Sequence, residues 1–194
     1  MKNIMSLNRF AALLVAGALV PLNGANASDP RIKAELEGPP AKVPLINVIG
    51  EEELKKELEA KYYYYVGNTK CRLCHREFFL GRKQDAHDYA LRKVVDAGYA
   101  DNPRCLVCHA TGFGIPTGFV SFESTPRLAN VQCEGCHGPG SVHVQRRDKG
   151  GFLVGTDRPD RIKAMCKSCH TSRWNRSYTD FHEAYSKYKN AKPE

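Results

Sequence analysis

Cys71-Arg-Leu-Cys74-His75, Cys105-Leu-Val-Cys108-His109, Cys133-Glu-Gly-Cys136-His137 and Cys166-Lys-Ser-Cys169-His170 use all eight cysteines of the chain. Each copy sets two thiols around two intervening residues and an imidazole directly after the second thiol. That order suits covalent attachment of haem c. The thiols add as thioethers to the two vinyl groups on one porphyrin edge, and the next residue offers its imidazole to the iron. Two competing chemistries use only part of the pattern. A zinc ribbon needs paired C-x-x-C but no histidine after each pair. Structural disulfides need only an even cysteine count. The four following histidines therefore select haem. The expected cofactors are four covalently bound haem c groups, their irons held by His75, His109, His137 and His170.

Three of the seven histidines remain: His87, His143 and His182. Haem irons take sixth ligands, and spare histidines suit that role. Geometry restricts the pairings. Two imidazole nitrogens on one iron lie about 4 Å apart across the ring plane. His87 follows His75 by 12 residues that read as mostly helical, about 18 Å of rise, so it must reach another haem. His143 follows His137 through Gly138-Pro139-Gly140 and would have to wrap around the porphyrin edge to return to the same iron. A neighbouring haem is again the better target. Four irons then share three spare histidines. Met165 abuts Cys166 and could serve only another haem, so one iron is expected to lack a protein sixth ligand.

The elements that must position these groups read as a mainly α chain with long loops, a multihaem cytochrome c fold organised around four covalently attached haems. Residues 28–50, with Pro30, Pro39, Pro40 and Pro44, read as an extended arm. Glu51 to Lys61 reads as a short solvated helix with Leu54 and Leu58 as its apolar stripe and acid-first i,i+4 pairs. Tyr62 to Tyr65 reads as a short extended segment packing its rings inward. From Arg76 to Ala97 the pattern is helical, with His87, Ala90, Leu91 and Val94 on one face and Gly98 ending it. Ala110 to Asn130 reads as a loop that could hold a small hairpin, and "YTDFHEAYSKYK" as a C-terminal helix carrying His182.

The N-terminus has Lys2 and Arg9, a ten-residue apolar core from Ala11 to Val20, and Ala25-Asn26-Ala27. This predicts a cleaved signal peptide over residues 1–27 and a periplasmic or secreted protein. The apolar core is shorter than the about 20 residues a membrane span needs, so no span is expected. The mature chain divides into an arm and short helix, 28–61, and a tetrahaem cytochrome domain, 62–194. The formal net charge of +8 does not point to nucleic acid. Cleavage removes two of those charges, and the propionates of four haems bring roughly eight negative ones. Many lysines and arginines are expected as propionate partners, and the rest as a docking face for a redox protein.

The stretch "CLVCHATGFGIPTGFVSFESTPRLANVQCEGCHGPGSVH", Cys105 to His143, closely resembles the cytochrome c-554 family of tetrahaem cytochromes. The carriers of the likeness are Gly-Phe-Gly after the second motif, Thr-Pro before the third, and C-E-x-C-H-G-P-G with a following histidine. "YVGNTKCRLCH", with His87 12 residues on, also fits. The resemblance covers about residues 62 to 182. It implies three bis-histidine haems and a five-coordinate second haem held by His109. It further implies that His143 caps the first haem, His182 the third and His87 the fourth. In that family electrons pass from hydroxylamine oxidoreductase, through the cytochrome, towards the quinone pool by way of another cytochrome. This chain has a longer segment before its first motif and a much shorter one around and beyond its fourth.

The preferred reading is an electron carrier working between redox proteins, because no acid/base or nucleophile constellation stands beside the haem motifs. It is not read primarily as an enzyme. One alternative is a small nitrogen-oxide reductase acting at the open iron. Another is a self-associating subunit of an extracellular cytochrome filament, its N-terminal arm docking on a neighbour.

Overall fold

The computed structural model describes residues 29–81, 85–146, 150–155 and 158–171. The expected signal peptide, the C-terminal helix and His182 lie outside these residues. Among the described residues the chain is helical with long irregular connections and has no strand.

The segment expected to be an extended arm forms two helices instead, α1 (Pro30–Glu37) and α2 (Pro44–Ile49). Pro30 and Pro44 sit in the first turns, where a fixed φ favours the helix and the missing N–H is no loss, and Pro39 and Pro40 lie in the connection between the two helices. Asp29 caps α1 by accepting from Arg31 N at 2.8 Å. α2 buries Leu45 and Ile49 in the same core as the haem-motif segments. Arg104 Nη1 donates to the carbonyls of Glu35 at 2.9 Å and Gly38 at 2.6 Å, at the end of α1. Asn47 Nδ2 reaches Ser168 Oγ at 3.1 Å. The N-terminal segment is therefore packed on its own chain.

α3 (Glu51–Lys61) forms where the sequence places it. Leu54 is buried, Leu58 packs against the core, and Glu57 pairs with Lys61 at 2.8 Å. Tyr62 ends α3 in the left-handed region, at φ 51°. The tyrosine run is then extended with alternating burial: Tyr63 and Tyr65 inside, Tyr62 and Tyr64 outside, the period of two that extended backbone imposes. Gly112 makes room for Tyr65, because a Cβ there would lie 2.4 Å from the ring. Ser141 and Thr117 brace the run: Tyr64 N donates to Ser141 Oγ at 3.0 Å and Tyr65 N to Thr117 Oγ1 at 3.1 Å.

The single helix expected from Arg76 to Ala97 is divided. α4 (Asn68–Cys71) leads into the first motif, and α5 (Arg76–Gly81) follows it. A 3-10 turn, Ala86–Tyr89, then opens α6 (Ala90–Asp96). The division has a local cause. Asp85 caps a new start, its carboxylate accepting from His87 N at 2.8 Å, which competes with continuation of the first helix. Ala90, Leu91 and Val94 are buried as expected, and Gly98, at φ +81°, stands just past the end of α6. The stretch from Ala110 to Asn130 is turns plus a 3-10 turn at Pro126–Leu128, with no hairpin.

Candidate functional site

Three of the four motifs end helices: α7 (Pro103–His109), α8 (Cys133–His137) and α10 (Pro159–Cys169), the last followed directly by His170. On a helix, positions i, i+3 and i+4 share one face. Both cysteines and the histidine of each motif therefore project together. The first motif reaches a similar arrangement through a tight turn after α4, with His75 N donating to Cys71 O at 2.9 Å.

The fold brings motifs together in twos. The thiols of Cys71 and Cys133 are hydrogen-bonded, and this contact, with burial, raises the pKa of Cys71. The thiols of Cys108 and Cys169 form a second such pair, which raises Cys169 and lowers Cys108. A cleft beside Cys108 and Cys169 is lined by Val43, Tyr65, Val107 and Met165. All eight cysteines are free of disulfides.

The first and third motifs are cross-braced by their flanks. Gln132 Oε1 accepts from Asn68 N at 2.8 Å, and Asn68 Oδ1 accepts from Cys133 N at 3.2 Å. Glu134, inside the third motif, is 1% exposed. Its carboxylate accepts from Val66 N at 2.9 Å, Gly67 N at 2.7 Å and Gly140 N at 2.7 Å. Burial raises its pKa while those backbone donors pull against the rise. One side chain thus ties the approach to the first motif, the third motif and the turn leading to His143. The sequence carries no local signal of this clamp, because two of its donors lie 67 and 68 residues away.

α9 (Ser141–Arg146) carries His143. Its ring lies opposite that of His75, with centroids 6.1 Å apart and planes 23° apart. The ring of His87 faces that of His170, with centroids 5.8 Å apart and planes 88° apart. Two imidazoles binding one metal from opposite sides, through bonds of about 2 Å, hold their ring centres about 6 Å apart. Both separations fit an iron between the rings. The stretch from His75 to His87 is broken rather than one continuous helix, so the rise argument no longer applies, yet the ring beside His87 is still that of another motif. His109 and His137 have no imidazole placed in this way among the described residues.

Hydrogen bonds prepare these rings. His109 Nδ1 meets Ala90 O at 2.7 Å, His137 Nδ1 meets Val154 O at 2.8 Å and His143 Nδ1 meets Gly150 O at 2.9 Å. A carbonyl only accepts, so Nδ1 carries the proton and Nε2 keeps its lone pair for a metal. His87 Nδ1 meets the Asp85 carboxylate at 3.0 Å. Burial lowers the pKa of His109, His137 and His170, which favours the neutral, ligating form. Among the described residues no three His, Cys, Asp or Glu side chains converge on a metal position. The donor set is one of imidazole pairs flanked by thiols, which fits haem better than zinc.

The family profile described as "Cytochrome c554 and c-prime" matches residues 70–138, a stretch that holds the first three motifs. Cytochrome c-554 of Nitrosomonas europaea is 31% identical over 134 residues, an alignment covering 55% of this chain and 57% of that protein. The chain thus matches a little over half the length of that curated relative. No solved structure matches. The segment that carries the first three C-x-x-C-H motifs is thus similar to the cytochrome c-554 family.

Proposed function

We infer that the protein is an exported tetrahaem c-type cytochrome that carries electrons between redox partners. Cys71/Cys74, Cys105/Cys108, Cys133/Cys136 and Cys166/Cys169 are the thioether residues, with His75, His109, His137 and His170 as proximal ligands. His143 would cap the iron held by His75, and His87 the iron held by His170. His182 is assigned to the iron held by His137. The observation that carries this reading is the two pairs of imidazole rings at iron-spanning separations. Haem supplies the reversible one-electron chemistry. The chain's own part is to hold the imidazoles in the correct tautomer, to bring the motifs together and to shield them from water.

The domain reading is a cleaved leader over 1–27, an N-terminal segment over 28–61 and a haem-bearing body over 62–194. Leu45, Ile49 and Leu54 share the core of the body, so the middle part serves as its cover. That packing gives no support to a filament reading that uses this segment to dock on a neighbour. Among the described residues no helix is long and apolar enough to cross a membrane. Redox proteins are the expected partners, and a pathway linked to hydroxylamine or nitrogen oxides is the expected setting.

The test is expression with a haem-maturation system. Intact mass should give the chain from Ser28 plus four haems, and the reduced protein should pass electrons to an acceptor cytochrome without consuming nitric oxide or hydroxylamine. A second reading, reduction of a nitrogen oxide at the iron held by His109, is favoured by the lack of a facing imidazole there among the described residues. Rapid turnover of nitric oxide would make it the better description.

A further inference from the structure

The segment Gly150–Val154 touches two of these histidines from one side, and no sequence motif marks it. Gly150 O accepts from His143 Nδ1 at 2.9 Å. Gly151, at φ +88°, lies so close that a Cβ would fall 2.7 Å from His143 N and 2.8 Å from its Cα. The Phe152 ring stacks on His143, with centroids 4.5 Å and planes 28° apart. The same ring meets His137, with centroids 5.2 Å and planes 45° apart. Val154 then closes a double bond to His137: its carbonyl accepts from Nδ1 at 2.8 Å, and its N–H donates to His137 O at 3.1 Å.

The geometry points to Gly150–Val154 as a strap that positions the sixth ligand of one haem and the proximal ligand of another, with Phe152 in contact with both imidazoles. This rests on the reading of His143 and His137 as iron ligands. The physical basis is the second shell. The partner of Nδ1 sets the tautomer, the ring orientation and the basicity of the ligand. Here both partners are carbonyls of one five-residue segment. A displacement of that segment alters two iron environments at once. Phe152 adds a flat apolar surface that covers part of both rings and resists their rotation. The strap is thus a positioning element that makes two redox centres respond together.

The experiment compares the holoproteins of H143A, G151A, F152L and F152Y with the parent, by low-temperature electron paramagnetic resonance and by redox titration. H143A should turn one low-spin haem high-spin. G151A should weaken or lose the same low-spin signal, because its Cβ displaces His143. F152L leaves the backbone alone and should shift two midpoint potentials while the others stay in place. F152Y, which keeps the stacked ring, should titrate as the parent does. If F152L leaves every potential and signal unchanged while H143A still yields a high-spin haem, the strap is not a positioning element and the ligand assignment stands. If H143A leaves every iron low-spin, the ligand assignment fails, and the proposal with it. A uniform shift of all potentials in F152L would mark a general loss of packing and would also overturn it.

Discussion

Glu134 is the residue on which most of the local geometry converges. It holds three backbone N–H groups, from Val66, Gly67 and Gly140, inside the protein. Removing the carboxylate leaves buried donors unpaired, and each such loss costs about 1–3 kcal/mol. E134A should therefore destabilise the holoprotein by about 3 kcal/mol or more, read as a lower denaturant midpoint. E134Q, which keeps one acceptor oxygen, should cost less. Equal stability of all three proteins in denaturant titration would show that the clamp is unimportant. At the same scale, His87 is held by Asp85 through both its backbone N–H and its ring. H87A should turn one low-spin haem high-spin while every haem stays attached, checked by near-infrared and resonance spectra. An unchanged spectrum would mean His87 does not bind iron.

Among the elements, α2 is the one whose role the sequence hides best. Pro44, after Pro39 and Pro40, suggested extended chain, because proline is disfavoured inside helices. At the first turn the same residue favours one, and the sequence does not say which applies until Leu45 and Ile49 are seen in the core. L45A should cost about 2–5 kcal/mol, as measured by thermal or denaturant unfolding. A cost below 0.5 kcal/mol, the range of surface changes, would mean α2 is loosely attached. Other elements were legible. α3 and its Leu54–Leu58 stripe follow from periodicity, and the end of α6 follows from Gly98. The break before the 3-10 turn was not, since Asp85 reads as a cap only once its carboxylate is seen to accept from His87 N. The four C-x-x-C-H patterns can be read from the sequence because each lies within five consecutive residues. The contacts that join Cys71 to Cys133 and Cys108 to Cys169 were not, because they cross more than 60 residues and depend on how the loops return.

Across the described residues, the apolar core and the cysteine motifs share the same volume. The core cluster includes Cys105 and Cys166 at its margin beside Leu106, Ile162 and Met165. Haem attachment and folding should therefore be coupled. The chain made without haem maturation should unfold at a lower denaturant concentration and expose thiols to alkylation, whereas the holoprotein should have none to alkylate. The most direct test of the account is electron paramagnetic resonance of the fully oxidised holoprotein. Imidazole pairs on one iron give low-spin haem, and a lone histidine gives high-spin haem. Three low-spin irons and one high-spin iron are expected. Two of the low-spin signals should differ in anisotropy, because the ring planes stand 23° apart in one pair and 88° apart in the other. A spectrum with no low-spin iron would contradict the paired imidazoles, and four low-spin signals would contradict the open iron at His109.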